Sequence, residues 1–178
     1  MAGKKAPPPV KPIDKGILAA HWATALFTAL HGKLIYSETP NRSALYDRVK
    51  AGLAKQMTQA EIIADIAANL AESDADCSQF VATCEMAAGH AQYNDRDYTG
   101  TELQEGVEVT QAQATPGCYV IYGGGTGEHV DMLVAPNGAD WWIIGFGGAG
   151  GPGHGLLSGS EPWFAAHGYP GLRFLRPS

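Results

Sequence analysis

The reactive side chain with the most informative position in this sequence is the thiol of Cys77. It follows directly on an aspartate in "SDADCSQFVATCEMAAGH" and opens a segment with helical periodicity. Free N–H groups and the positive end of the dipole at a helix start favour a thiolate, which is the nucleophilic form of cysteine. The alternative is a small core residue, because most free cysteines are buried. The helix alone leaves both interpretations of Cys77 open.

A thiolate nucleophile needs a base, and the chain has six histidines. His129 opens a predicted strand straight after "GGGTGE", where small residues leave space for a substrate. Alternation along "HVDMLVA" directs its imidazole to the strand face opposite the aliphatic side chains. We therefore predict His129 as the base. The other histidines are predicted to be structural or solvated, because they lie at helix ends or in Gly/Pro-rich loops: His21, His31, His90, His154 and His167.

The helix that would hold Cys77 is predicted from its end signals and its periodicity. Ser73 or Asp74 can cap its start and Gly89 can end it. Cys84 and Cys118 lack the cues of a helix start, so we expect both in the core. The apolar residues at helical spacing predict a buried stripe: Phe80, Val81, Cys84 and Ala88.

Three further helices are predicted nearer the N-terminus. The first begins after Asp14, a possible N-cap, covers "DKGILAAHWATALFTALHGK" and stops at Gly32. The next two are "SALYDRVKAGLAKQ" and "TQAEIIADIAANLAES", and the latter starts with a capping box formed by Thr58 and Glu61.

Beyond residue 92 the sequence changes to turn residues, aromatics and β-branched residues. Three strands are predicted, "CYVIY", "HVDMLVA" and "DWWIIGF", with turn signals before the first and between the second and third. Helices followed by an antiparallel meander define an α+β domain. The segment "GFGGAGGPGHG" lacks the Lys-Ser/Thr of a phosphate-binding loop, so it is predicted to be an ordinary loop.

Length and composition limit the domain organisation and the partners. The 178 residues, 45% of them hydrophobic, predict one domain over residues 14–178, preceded by a Pro- and Lys-rich extended leader at 1–13. A net charge of −6 argues against nucleic acid as a partner. No segment has the length and apolarity of a membrane span or the architecture of a signal peptide. Three irregularly spaced cysteines predict free thiols, with no metal or cofactor.

The cysteine and histidine segments resemble the NlpC/P60 cysteine peptidases, papain-like enzymes that cut bacterial cell-wall peptides. Here "DCSQFV" is similar to their "DCSGFV" signature, and "HVDMLV" resembles their "HVGIYVG" strand. Upstream, "GKLIYSE" resembles the family's "G.PYxWGG" segment. The region from "YNDRDYTG" to "GGGTGEHV" is similar to versions found in phages of actinobacteria. The resemblance covers roughly residue 30 to the C-terminus.

The resemblance implies a fold, a reaction and roles for particular residues. The fold would be papain-like, with the nucleophile at a helix start packed on a C-terminal antiparallel sheet, and with a helical insertion around 41–73. Cys77 would be the nucleophile and His129 its base in a hydrolase acting on peptidoglycan. Tyr36 would lie beside the nucleophile and help its backbone N–H to hold the oxyanion. Asp76 and Ser78 would recognise the free amine of a stem peptide, unless they simply cap the helix.

The chain departs from the family at the third catalytic position. The family carries a polar residue, usually His, on the strand after the catalytic histidine, and the matching stretch "IIGFGGAGGP" puts Phe146 there. Asp131, His154 and Asp140 remain open as replacements. The departure keeps two other functions in play: a degenerate peptidase that serves as a structural tail component, and a papain-like amidase or deamidase acting on protein.

The biological setting is predicted from the leader and the motif spacing. Both favour a phage protein, either a tail-associated wall hydrolase or a compact endolysin. Such a protein would reside in the virion tail, or in the host cytoplasm before its release to the cell wall. The leader would dock a tail enzyme on neighbouring tail subunits.

Overall fold

The computed structural model describes residues 13–70, 73–123, 127–147 and 151–178. The predicted leader therefore lies, except for Ile13, outside the described residues. Six α-helices are assigned: α1 Lys15–Leu30, α2 Ala44–Ala54, α3 Gln59–Ala68, α4 Cys77–Ala87, α5 Thr99–Glu105 and α6 Leu157–Ala166. Six strands accompany them: β1 Gly106–Val109, β2 Tyr119–Tyr122, β3 His129–Asn137, β4 Asp140–Phe146, β5 Pro152–Leu156 and β6 Leu172–Pro177.

The strands form one antiparallel sheet in the order β1-β6-β2-β3-β4-β5. The α+β class is confirmed, and the three predicted strands form the continuous meander β2-β3-β4. The loop prediction for "GFGGAGGPGHG" is wrong in part, because Pro152–Leu156 pairs along β4 as an edge strand. Glycine has little intrinsic preference for strands, so pairing with β4 overrides the local signal.

Local capping signals account for where the helices begin. Asp14 accepts hydrogen bonds from the first turn of α1, and the capping box of Thr58 and Glu61 is formed at α3, both as predicted. At α4 the predicted caps are wrong. Asp76 holds extended backbone and its side chain accepts from the N–H of Gln79, so the helix begins at Cys77 itself.

Helix α4 is the centre of the helical layer. It packs against α1 and α2 on its sides and against β3 and β4 below. The predicted apolar stripe is buried, but so is the whole run from Cys77 to Glu85, including polar side chains. Some of those polar groups find internal partners: Thr83 donates to the carbonyl of Gln79, and Glu85 pairs with His90. Oε1 of Gln79 and Oε1 of Glu85 have no partner among the described residues.

The two faces of the sheet have separate apolar clusters. Tyr119, Ile121 and Met132 face the layer of α1 and α4. Val120 and Leu133 lie in the second cluster, which is covered by α6. This alternation sets which catalytic side chains share a face. None of the helices in the described part of the chain has the length and apolar character that a bilayer crossing requires.

Candidate active site

The nucleophile candidate is the first residue of α4 and is 4% exposed. The first N–H groups of a helix have no partner within it, so the start of α4 presents hydrogen-bond donors beside this thiol. Tyr36 is fixed nearby by a parallel bridge to Ala75, in which the N–H of Ser37 donates to the Ala75 carbonyl at 3.0 Å. Burial and then the charge of Cys77 raise the pKa of Tyr36. The structure therefore brings Cys77 and Tyr36 together.

His129 is the first residue of β3, and its ring is enclosed. It stacks on Phe164 of α6 with ring centroids 4.7 Å apart. Its Nε2 lies 2.8 Å from Oδ1 of Asp131, two residues along the same strand and therefore on the same face. Cys77 lies close enough to the ring to raise its pKa. The imidazole thus has a bonded carboxylate and a nearby thiol.

These neighbours set the charge of His129. Burial lowers the pKa of the ring, but the charge and hydrogen bond of Asp131, followed by those of Cys77, outweigh burial and raise the pKa from 6.5 to about 10. The ring is therefore an imidazolium at neutral pH. An imidazolium beside a cysteine stabilises the thiolate, as in cysteine hydrolases that use an ion pair.

Asp131 is the group that orients His129. It is 4% exposed. While Oδ1 faces His129, Oδ2 accepts a hydrogen bond from the hydroxyl of Tyr122 at 2.8 Å. Tyr122 is in turn hydrogen-bonded to Ser160 of α6 and stacked on Phe164. Both carboxylate oxygens are thus engaged, which fixes the carboxylate and through it the tautomer and tilt of the imidazole.

The two other candidates for the orienting role have different partners. Asp140 accepts from the Ser158 hydroxyl at 2.6 Å and from the backbone of Trp141. His154 stacks on Trp142 with ring centroids 4.6 Å apart. Of the three alternatives left open by the sequence, Asp131 is the one bonded to the catalytic histidine.

The prediction that Phe146 fills the orienting position is wrong. The register of β3 and β4 pairs Asp131 with Gly145, and a methyl group at residue 145 would overlap Asp131 Oδ1. The next residue, Phe146, therefore points to the opposite face. There its ring centroid lies 5.9 Å from that of Phe80 and 6.1 Å from that of Tyr36. A strand reverses its face at every residue, and aligning "IIGFGG" by motif alone misses that reversal.

Asp76 and Ser78 form a bonded unit at the start of α4. Oδ1 of Asp76 accepts from the Ser78 hydroxyl at 2.8 Å and from the Gln79 N–H at 2.7 Å. Oδ2 accepts from Nη1 of Arg42 at 2.7 Å, and Nη2 of Arg42 donates to the carbonyl of Asp97. Helix capping is therefore established for Asp76, and recognition of a substrate amine by this pair stays a prediction.

Two residues near the nucleophile have no counterpart in the sequence reasoning. Arg42 lies in the 41–73 segment, and its approach to Asp76 depends on tertiary packing that no local motif signals. Glu102 of α5 is fully buried, and burial, followed by the charge of Cys77, raises its pKa well above the ordinary value. Both of its carboxylate oxygens lack a hydrogen-bond partner among the described residues.

The remaining thiols are structural. Burial raises the pKa of Cys84, which lies in the core cluster around α4. Cys118 is buried in the second cluster, with Thr115 beside its sulfur. Within the described ranges, no group of His, Cys, Asp and Glu side chains is arranged to hold a metal ion.

Comparison with known proteins adds no family assignment: no family model matches the chain, and a search of the curated proteins finds no significant relative. The functional argument therefore depends on the residues at the site.

Proposed function

We propose that the protein is a cysteine hydrolase that cleaves peptide bonds in the stem peptides of bacterial peptidoglycan. One observation supports the reaction type: His129 is hydrogen-bonded to Asp131 and lies close to the helix-start thiol of Cys77. A thiol, an imidazole and a buried carboxylate in this order are the components of acyl transfer through a thioester.

The reaction would proceed in two steps. The Cys77 thiolate attacks the peptide carbonyl, and the His129 imidazolium gives its proton to the leaving amine. A water molecule, deprotonated by the now neutral His129, then hydrolyses the thioester and returns the thiolate. The backbone N–H of Cys77 at the start of α4 would stabilise the oxyanion in both steps. Asp131 keeps the ring oriented throughout.

The substrate class follows from the resemblance of the Cys77 and His129 segments to wall peptidases. The same resemblance, with the Pro-rich leader, supports a phage tail-associated or lysis enzyme as the setting. The alternative of a structural tail component was based on Phe146 in place of a third polar residue. That argument no longer applies, because Asp131 is the polar group beside His129.

The test is digestion of purified actinobacterial peptidoglycan, with new peptide termini identified by mass spectrometry. Wild type should release them and Cys77→Ala should not. The matched control Cys84→Ala removes a buried thiol from the same helix and should keep the activity. A parallel measurement is the alkylation rate of Cys77 with iodoacetamide at neutral pH. A rate no faster than that of a model thiol, together with intact peptidoglycan, would establish a structural role instead.

A further inference from the structure

A trough of about 650 Å³ adjoins the catalytic pair on the α6 side of the sheet. Its floor includes Gly145, Gly153 and Gly155, and its outer wall is formed by Trp163 and Phe164 of α6. His129 and Asp131 border one end. Anything bound at the catalytic pair can therefore extend into the trough without leaving the protein surface.

Two glycines of the floor have no structural reason to be glycine. A methyl group added at Gly153 or Gly155 would meet no atom within 4 Å, and neither residue has a backbone conformation reserved for glycine. Glycine weakens a strand, and where packing does not demand it, it marks a place where another molecule approaches the backbone. Gly145 differs, because Asp131 requires its small size.

The wall offers an aromatic surface. Trp163 is 56% exposed, which is unusual for a side chain of this size. His167 stacks on its ring with centroids 3.9 Å apart, and Phe164 packs edge-on against it. The indole is thus held in place while much of its surface remains open to a ligand.

The ionisable groups of the lining already have partners. Asp131 and His129 are paired with each other, the second oxygen of Asp131 is bonded to Tyr122, and the His154 ring stacks on Trp142. A flat floor, an exposed indole and the absence of an unpaired charge among the described lining residues fit an uncharged ring. Because β5 is an edge strand, one side of its backbone carries polar groups not used by β4. These groups suit a ring with hydroxyls at its rim.

We propose that the trough binds a sugar ring of the glycan strand that carries the stem peptide, with one face of the sugar against Trp163 and the other over Gly153 and Gly155. This rests on the proposed function, because stem peptides carry carboxylates, amines and methyl groups, and the uncharged ring of that substrate is its sugar. The enzyme accordingly prefers peptides attached to glycan over free peptides, and this inference replaces recognition of a free stem-peptide amine by Asp76, whose two oxygens are already bonded to Arg42, Ser78 and Gln79.

The binding arm of the test needs no catalysis. The Cys77→Ala protein is titrated calorimetrically with soluble peptide-free glycan made of β-1,4-linked N-acetylated amino sugars. Binding is expected, and it should weaken at least tenfold when Trp163→Ala or Gly155→Leu is added. The matched control is Gly159→Leu, which adds the same side chain in open space outside the trough. The inference is overturned if no binding is seen up to millimolar glycan, or if both trough variants bind glycan as tightly as the Cys77→Ala protein does.

The second arm compares cleavage of a disaccharide–peptide with cleavage of the same peptide without sugar. Wild type should favour the former at least tenfold in kcat/KM, and the trough variants should bring that ratio close to one. An equal loss on both substrates would assign the trough to the peptide and overturn the inference. If neither substrate is cut while the glycan binds, the proposed hydrolase function fails and the sugar site stands. If both arms are negative, both fail.

Discussion

The carboxylate of Asp131 occupies the space that a side chain at residue 145 would need. Oδ1, the atom that would collide with a methyl group on Gly145, is also the atom that bonds Nε2 of His129. Asp131 can therefore keep its contact with His129 only because the residue opposite it on β4 is a glycine. Asp131, on the same strand as His129, thus makes the contact that the resemblance to NlpC/P60 peptidases leads us to expect from the following strand.

Gly145→Ala should consequently impair catalysis without removing any catalytic group. The methyl group pushes Asp131 away from His129, and kcat/KM should fall at least about tenfold, since misorienting the imidazole is costly in Cys/Ser–His enzymes. Gly159→Ala, in α6 with open space around it and outside the trough, is the control for adding a methyl group at a glycine. Equal rates in the two variants would contradict the shared role of Asp131 and Gly145.

The pH profile should report the charge of His129. Because its pKa is raised to about 10, the imidazolium that protonates the leaving amine persists through neutral pH, and kcat/KM should fall only as pH approaches 10. In Asp131→Asn the main raising influence is gone, while burial and the smaller raising effect of Cys77 remain, so the alkaline limb should move to lower pH. Proton NMR titration of the His129 ring measures the same pKa independently. If the alkaline limb of Asp131→Asn lies at the same pH as that of wild type, the limb does not report His129.

The raised pKa of His129 also makes the free energy of unfolding depend on pH. The native state holds this proton more tightly than the unfolded chain, so the contribution is complete below about 6.5 and is lost as pH rises through about 10. Urea unfolding of wild type and Asp131→Asn between pH 6 and pH 10 should show curves that converge at alkaline pH. Parallel curves would mean that the pair does not stabilise the fold.

Tyr122→Phe removes the donor to the second oxygen of Asp131. A hydrogen bond to a buried charge contributes about 1.5–3 kcal/mol, so we expect a stability loss of that order and a severalfold lower kcat. Tyr119→Phe is the matched control, because its hydroxyl is also buried and bonded but faces the other side of the sheet, to Tyr93 and the Glu102 carbonyl. It should lose stability and keep its rate. Equal rate losses would show that Tyr122 acts through the fold alone.

Asp76→Ala should destabilise the start of α4. Losing an N-cap costs about 1 kcal/mol, and the partly buried Arg42 loses its ion pair as well. We expect a larger loss in chemical denaturation than for Asp14→Ala, which removes the cap of α1 without touching an arginine. The alkylation rate of Cys77 should fall in the first variant alone, since only there does the helix start that holds the thiol fray.

The sequence predicts those helices and strands whose signal, a cap or an alternating run, lies within a few consecutive residues. Asp14, Thr58 with Glu61 and the three central strands are of this kind, because a cap or an alternating run is written within a few residues. Strand β6 is different. It pairs with β1 and β2, which lie some fifty or more residues earlier, and such pairing has no local signature.

At the site, residue type and position predicted the cysteine and the histidine, and the family resemblance implied the tyrosine beside them. To predict the residue that orients His129, one must also know on which face of the sheet the histidine side chain lies. Once β3 is known to start at His129, Asp131 follows from the two-residue period, and Phe146 is excluded by the register with β4. Arg42 and Glu102 reach the site through packing of α2 and α5 against α4, and nothing near them in the chain announces it.

Phe164 stacks on both His129 and Tyr122, while its neighbour Trp163 forms the outer wall of the trough. Recognition and rate are therefore not separable properties of this molecule. A substitution in α6 made to change what the protein selects will also tilt the imidazole, and whatever settles against Trp163 presses on the helix that steadies the base.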